Sequence, residues 1–182
     1  MPSIKRAYTI LIHTLLVGAL VAIGILLMQN AQLRSSSDHR NTSPGPNRGD
    51  PIKQFDISPL QDSLRINMSA ARQLFFFFKT DCPLCQSTVP AWNSIADRMK
   101  GLRIPVHGIA FDNEQSAKEY AAARSLRFPV SILRDGRSFA LANQMYSVPV
   151  TMLVSKGLVI QKIWAGAGDS TQVAEIMREG QQ

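Results

Sequence analysis

Cysteine is scarce in this sequence: Cys82 and Cys85 are the only two in 182 residues. With 45% hydrophobic residues, a chain of this length can build a sizeable core without disulfide staples. A disulfide between residues three apart closes a very small loop and adds little stability. We therefore expect the pair to serve chemistry rather than folding.

Metal ligands are also few. A zinc site that used Cys82 and Cys85 would need a second pair of ligands, and the three histidines, His13, His39 and His107, are scattered. His107 falls within a predicted strand, where we expect a core or edge histidine rather than a catalytic one. The sequence predicts no metal site.

A clustered basic surface is missing as well. The formal net charge is +7, but the segment from Lys53 onward carries 15 Lys and Arg against 11 Asp and Glu, a net charge of +4. These basic residues are dispersed and do not alternate with aromatic residues. This pattern argues against nucleic-acid binding.

Charge is absent from the 19 residues Ile10–Met28. As a helix this run would span roughly 28 Å, enough for a bilayer core of about 30 Å. Lys5 and Arg6 precede it and favour a cytoplasmic N-terminus. We predict a transmembrane signal anchor at 10–28 behind a short cytoplasmic segment, 1–9. A cleavable signal peptide is the alternative, although its apolar region is usually shorter.

The anchor prediction fixes the organisation of the rest of the chain. Residues 29–51 are rich in Ser, Asn, Gly and Pro, which predicts a flexible linker. A folded domain is then expected at 52–182. The protein would be a single-pass protein of the cytoplasmic (inner) membrane, with this domain facing the periplasm or the cell exterior.

The most informative stretch is Leu74–Trp92. An apolar run of strand length, Leu74–Phe78, leads to Cys82-x-x-Cys85, and apolar residues at helical spacing follow. Pro83 suits the first helical position, and the amide groups and dipole of a helix N-terminus favour a thiolate there. Cys82 is therefore the predicted attacking thiol, and Cys85, one turn further in, the predicted resolving thiol.

The remaining pattern alternates strands and helices, which predicts an α/β sheet with parallel crossovers. The predicted elements are a hairpin over 55–68 with Pro59 at its bend, a kink at Pro90, strands at Ile104–Phe111 and Phe128–Leu133, a helix capped by Asp112 and ending near Arg124, a short helix at Ser138–Met145, a hairpin of Thr151–Ser155 and Leu158–Trp164, and a helix after Asp169 that ends near Glu179. Pro149 precedes the second hairpin, either as a strand-start proline or as a cis proline.

These residues carry a family resemblance. From Ile52 to Met177 the chain resembles the thioredoxin superfamily. The resemblance lies in a strand, Cys-x-x-Cys and helix with Pro90 five residues after Cys85, followed by Val-Pro-Val-Thr, a hairpin and a last helix. Within it, FDISPL, FDNE and QMYSVPVTMLVSKGLVIQKIWAG are similar to the membrane-anchored TlpA/ResA-like redoxins. The resemblance implies a thioredoxin-like fold, a central mixed sheet flanked by helices. It also implies thiol–disulfide exchange by Cys82 and Cys85, a cis Pro149, and Val148 pairing its backbone with substrate.

Three positions depart from the family pattern. Asp81 stands where thioredoxins typically have Trp, and Thr88 stands where TlpA/ResA-like proteins often have Glu. Phe76 replaces the buried acid of thioredoxin. Both familiar proton acceptors for the resolving thiol are therefore missing.

The expected function is a membrane-tethered thiol–disulfide oxidoreductase, reducing rather than oxidising, which needs no cofactor. Its partners would be protein substrates with disulfides or thiols and a membrane-embedded electron donor. Cytochrome c maturation is one job that the resemblance implies. The alternatives are a redox-inert assembly factor or chaperone and a peroxiredoxin-like peroxidase, although Lys79 stands where peroxiredoxins place Thr.

Overall fold

The computed structural model of the chain describes residue 13 and residues 15–26, 28–29, 45–60, 66–67 and 69–181. The chain divides into two compact units, Met1–Ser43 and Pro44–Gln182. The second unit contains both cysteines and the whole sheet.

In the first unit, residues 13, 15–26 and 28–29 are helical. Their large apolar side chains are exposed, from 51% at Ile25 to 74% at Met28. Five residues of the predicted anchor, 10–12, 14 and 27, lie outside the described residues. Within the described part of the chain, no helix combines the length and the apolar character needed to cross a membrane.

The second unit has six strands and four α-helices among its described residues. The strands are β1 (Ile57–Pro59), β2 (Arg72–Phe78), β3 (Val106–Ala110), β4 (Val130–Leu133), β5 (Val150–Ser155) and β6 (Val159–Ala165). The helices are α1 (Pro83–Gly101), α2 (Glu114–Ala123), α3 (Gly136–Ala142) and α4 (Ser170–Glu179), with a short 3-10 turn at Lys156–Leu158.

One sheet holds all six strands in the order β1-β4-β3-β2-β5-β6. The pairs β2–β3 and β3–β4 are parallel, as the predicted crossovers require, whereas β1–β4, β2–β5 and β5–β6 are antiparallel. The predicted α/β thioredoxin-like fold, a mixed sheet flanked by helices, is confirmed.

Strand β2 is the centre of the core because it is buried on both faces. Leu74, Phe76 and Phe78 pack into one hydrophobic cluster, and Phe75 and Phe77 pack into a second cluster. Alternate residues of a strand point to opposite faces of the sheet, so the unbroken apolar run fills both layers. The first cluster includes residues of α1, α2 and α4, and therefore joins the Cys-x-x-Cys helix to the sheet.

The structure corrects two predicted helix starts. Asn113, not Asp112, caps α2, because its side chain accepts a hydrogen bond from the amide of Ser116 at 2.9 Å. Asp135 caps the amide of Ser138, so α3 begins at Gly136 and ends at Ala142 rather than running from Ser138 to Met145.

The segment before β2 also differs from its prediction. Ile57–Pro59 pairs with β4 as an edge strand, so Pro59 ends β1. Much of the predicted second arm, residues 61–65 and 68, lies outside the described residues. Just before β1, Gly49 donates its amide hydrogen to the carbonyl of Ile160 at 2.8 Å, and Pro51 bridges to Val159. The end of the predicted linker thus lies along β6.

Candidate active site

The sequence from β2 to α1 places the two cysteines at a helix N-terminus. Cys82 is the N-cap of α1, with extended backbone angles (φ −87°, ψ 111°), and Pro83 occupies the first turn. The backbone amide of Cys85 donates a hydrogen bond to the Cys82 sulfur at 3.1 Å. This sulfur therefore lies where the unpaired amides and the helix dipole stabilise negative charge.

The loop before Cys82 is fixed on both sides. The amide of Thr80 donates to a carboxylate oxygen of Asp112 at 2.8 Å, and the side-chain amide of Gln86 donates to the carbonyl of Thr80 at 3.0 Å. Lys79 and Asp81 form an exposed ion pair at 3.7 Å. Such a pair contributes little stability, and its opposite charges largely offset each other at the neighbouring sulfur.

The two thiols differ in exposure as the sequence predicts. Both are free; Cys82 is half-buried and Cys85 is completely buried. Burial raises the pKa of Cys85 to about 12, and the hydrogen bond and charge of Cys82 add to the effect. A reagent in solvent can therefore reach Cys82 but not Cys85.

The third component comes from the loop before β5. The peptide bond between Val148 and Pro149 is cis, as the resemblance implies. The Cys82 thiol donates a hydrogen bond to the carbonyl of Val148 across 3.8 Å, which joins positions 66 residues apart in sequence. The four predicted site residues, Cys82, Cys85, Val148 and Pro149, thus meet at one place.

Two of the three positions that depart from the family pattern, 76 and 88, are occupied by packed side chains. Phe76 is fully buried and stacks on Trp92 with ring centroids 5.0 Å apart. The Thr88 hydroxyl donates a hydrogen bond to the carbonyl of Leu84 at 2.7 Å. Neither position offers the resolving thiol a carboxylate.

One polar group near the dithiol was not singled out from the sequence. Tyr120 of α2 is 7% exposed, its ring stacks on Phe78 at 5.4 Å, and its hydroxyl has no hydrogen-bond partner in the described structure. The three-residue spacing of Ala117 and Tyr120 on a predicted helix could have indicated burial of this side chain. Its place in the same hydrophobic cluster as Cys85 depends on how α2 packs against the sheet and α1, which the spacing does not give.

The described residues hold no group of three or more His, Cys, Asp and Glu side chains arranged to bind a metal ion. The two cysteines give the described surface a dithiol with one accessible and one buried sulfur.

The fold is thioredoxin-like, and it presents a dithiol at a helix N-terminus. The model of the AhpC/TSA family matches residues 49–163, and the chain belongs to that family. No curated protein sequence matches the chain at a significant level.

Solved structures show the same fold at low identity. The thioredoxin domain of a thiol-disulfide oxidoreductase from Bacteroides vulgatus is 13% identical, with a TM-score of 0.58 over 73% of this chain and 96% of that one. A thioredoxin-related protein from Neisseria meningitidis is 14% identical, with a TM-score of 0.57 over 69% and 98%. Peroxiredoxin Q from Xanthomonas campestris is 14% identical, with a TM-score of 0.51 over 63% and 80%.

Proposed function

We propose that this chain is a protein thiol–disulfide oxidoreductase in which Cys82 attacks and Cys85 resolves. One observation carries the proposal: the sulfur of Cys82 is accessible at a helix N-terminus, and the buried Cys85 lies one turn behind it, its amide 3.1 Å from that sulfur. Attack requires access and thiolate character, which favour Cys82. Resolution of the mixed disulfide requires only a second thiol that is already held beside the Cys82 sulfur, which is the place of Cys85.

The proposed reaction moves two electrons from the dithiol to the substrate. The Cys82 thiolate attacks one sulfur of a substrate disulfide, that S–S bond breaks, and the departing sulfur takes a proton. Cys85 then loses its proton and attacks the Cys82 sulfur, which forms the Cys82–Cys85 disulfide and releases the second substrate thiol.

The reducing direction is part of the proposal. Strong oxidants of this type are those whose reduced, thiolate form is stabilised. In the described structure the sulfur of Cys82 accepts a hydrogen bond from the amide of Cys85 at 3.1 Å, and Cys85 is completely buried. We propose that the helix N-terminus alone stabilises the Cys82 thiolate too little for a strong oxidant, so that the reduced form donates electrons.

We propose that the substrate is an extended protein segment held beside Cys82. Val148 is half-buried, and its carbonyl already lies 3.8 Å from the Cys82 sulfur. A substrate strand that paired with the Val148 backbone would bring its own disulfide to this sulfur, a form of strand addition. Pro149 would help to shape this binding edge.

Membrane tethering is part of the proposal and rests on the sequence. Nineteen uncharged residues, Ile10–Met28, follow Lys5 and Arg6, and the described apolar side chains of that run are exposed. We propose that 10–28 anchors the domain outside the cytoplasm, where a membrane-embedded dithiol carrier would reduce it again. Cytochrome c maturation is one process that such a reductant would serve.

Insulin reduction tests the proposal directly. The full-length chain should catalyse precipitation of the insulin B chain in the presence of dithiothreitol, and Cys82→Ser should abolish this activity. Ser87→Ala is a matched control, because this exposed hydroxyl on α1 donates only to the carbonyl of Leu84. Equal activity of the wild type and Cys82→Ser would refute the proposal.

A second candidate function is peroxide reduction, which the family match and the fold shared with peroxiredoxin Q support. Cys82 would then be oxidised to a sulfenic acid, and Cys85 would condense with it to form the disulfide and release water. Dithiothreitol-dependent loss of hydrogen peroxide, absent in Cys82→Ser, would favour this function. If the chain reduced neither insulin disulfides nor hydrogen peroxide, the remaining candidate would be the redox-inert assembly factor.

A further inference from the structure

Neither of the two familiar carboxylates stands beside the resolving thiol, although resolution requires its proton to leave. Phe76 and Thr88 occupy the positions where related proteins have carboxylates, and both are packed. Burial raises the pKa of Cys85 to about 12. Some group must therefore help this sulfur to become nucleophilic at neutral pH.

Tyr120 is the buried hydroxyl that α2 directs into the same cluster. Tyr120, Cys85 and Phe78 belong to one hydrophobic cluster, and Phe78 stacks on the Tyr120 ring at 5.4 Å. The hydroxyl oxygen is buried without a hydrogen-bond partner in the described structure, which is costly for a phenol. This hydroxyl is therefore free to donate a hydrogen bond to a negative charge that forms nearby during the reaction.

Contacts between α1 and α2 hold Tyr120 near the dithiol. Arg124 donates a hydrogen bond to the side-chain oxygen of Gln86, the residue after Cys85, at 2.6 Å. The guanidinium carbon of Arg124 also lies 6.0 Å from the centroid of the Tyr120 ring. The hydrogen bond between Arg124 and Gln86 therefore joins the C-terminal end of α2 to the first turn of α1, next to Cys85 in the sequence.

The electrostatics of Tyr120 agree with this placement. Burial raises the pKa of Tyr120 to about 12, and the negative charge of the Cys85 thiolate raises it further. Cys82 and Asp112 act in the same direction, whereas Arg124 opposes them. Tyr120 thus remains a protonated donor at neutral pH and interacts with the charge on Cys85.

We propose that Tyr120 is a catalytic residue of the resolving step, whose hydroxyl donates a hydrogen bond to the Cys85 thiolate as that thiolate forms. The proposal rests on the dithiol function proposed above and adds a residue to it. In the step itself, the Cys85 proton passes to solvent, the sulfur attacks Cys82, the Cys82–Cys85 bond forms, and the substrate sulfur departs with the electron pair of the broken bond and takes up a proton from solvent. Tyr120 keeps its own proton.

The test uses the aromatic disulfide 5,5′-dithiobis(2-nitrobenzoate) with the reduced full-length chain. Attack by Cys82 releases one yellow thiolate, and resolution by Cys85 releases a second. The second phase therefore reports Cys85 alone. Because the leaving thiolate does not take up a proton near neutral pH, the pH dependence of this phase follows ionisation of Cys85.

Tyr120→Phe should slow the second phase about tenfold at pH 7, the effect of losing one hydrogen bond to a charged group. The difference should persist from pH 7 to pH 10, because Cys85, whose pKa burial raises to about 12, is still protonated over this range in both chains, and the first phase should not change. Tyr146→Phe removes the hydroxyl of an exposed tyrosine and should behave as wild type in both phases. An unchanged second phase, or both phases slowed equally at every pH, would overturn the proposal.

A second measurement does not depend on the folding of Tyr120→Phe. Replacement of tyrosine by 3-fluorotyrosine in a Tyr8→Phe/Tyr146→Phe chain labels Tyr120 alone, keeps the ring shape and makes the Tyr120 hydroxyl a stronger donor. The second phase should become faster at pH 7, and an unaltered rate would contradict the proposal. A wild-type chain that shows no second phase would instead refute the dithiol function itself.

Discussion

Acid should destabilise this domain through one buried histidine, His107, the second residue of β3. The side chain is 7% exposed, its ring lies 6.0 Å from that of Phe75, and neither ring nitrogen has a hydrogen-bond partner in the described structure. Burial lowers the pKa of His107 from 6.5 to about 4. The folded state therefore keeps this imidazole neutral where the unfolded chain would already protonate it.

The size of the effect follows from that difference. Between pH 6.5 and 4 the unfolded state binds more protons than the folded state, so stability falls as pH falls. A pKa lowered from 6.5 to about 4 corresponds to a loss of about 3 kcal/mol from pH 7 to pH 4. Replacement of His107 by leucine should remove this loss and also remove two unpaired buried nitrogens.

The assay is urea unfolding of the full-length chain at pH 7, 5.5 and 4, followed by tryptophan fluorescence. Wild type should lose about 3 kcal/mol more than His107→Leu over this range, since other groups titrate in both. Gln73→Leu is the matched control: Gln73 is also completely buried and unpaired but does not titrate, so it should keep the wild-type pH dependence. Parallel pH profiles for wild type and His107→Leu would refute the reasoning.

Three further predictions concern the site and its support. Cys85→Ser should accumulate a mixed disulfide between Cys82 and the protein substrate, visible by mass spectrometry, because the resolving thiol is missing. Cys82→Ser should trap no such species. Gly108→Ala should lower the free energy of unfolding, measured in urea, by about 1–3 kcal/mol. The Cβ of the alanine would lie 2.8 Å from a ring carbon of Phe128 and 3.1 Å from one of Phe78. An unchanged free energy of unfolding would show that these rings can move aside. Since burial raises the pKa of Cys85 to about 12, the reduced protein should lose stability above pH 9, where the unfolded thiol ionises, and the disulfide form should not show this loss; equal profiles would contradict the burial argument.

Local patterns predicted the elements that present the cysteines. The run of phenylalanines gave a doubly buried strand because nothing in Leu74–Phe78 could face water, and helical spacing together with Pro83 fixed the start of α1. The location of both cysteines in the first turn of α1 then follows from their position in the sequence alone. The half-buried and buried states of Cys82 and Cys85 were predictable for the same reason.

Features that depend on tertiary packing were less predictable. Asp112 has the composition of a helix cap, but the neighbouring loop uses its carboxylate to hold the amide of Thr80, and Asn113 becomes the cap instead. The contact of Cys82 with Val148 depends on β5 lying beside β2, and sequence spacing does not encode that neighbour relation. The position of Tyr120 depends on two helices at once.

The central claim is that Cys82 and Cys85 form a reversible two-electron couple. The most direct measurement is the reduction potential of the full-length chain, equilibrated against a dithiothreitol or glutathione series and read from the fraction of free thiols. The account predicts one two-electron transition at or below about −250 mV, near the value for thioredoxin. A value near −120 mV would contradict the reducing direction, and the absence of any reversible couple would contradict the oxidoreductase itself.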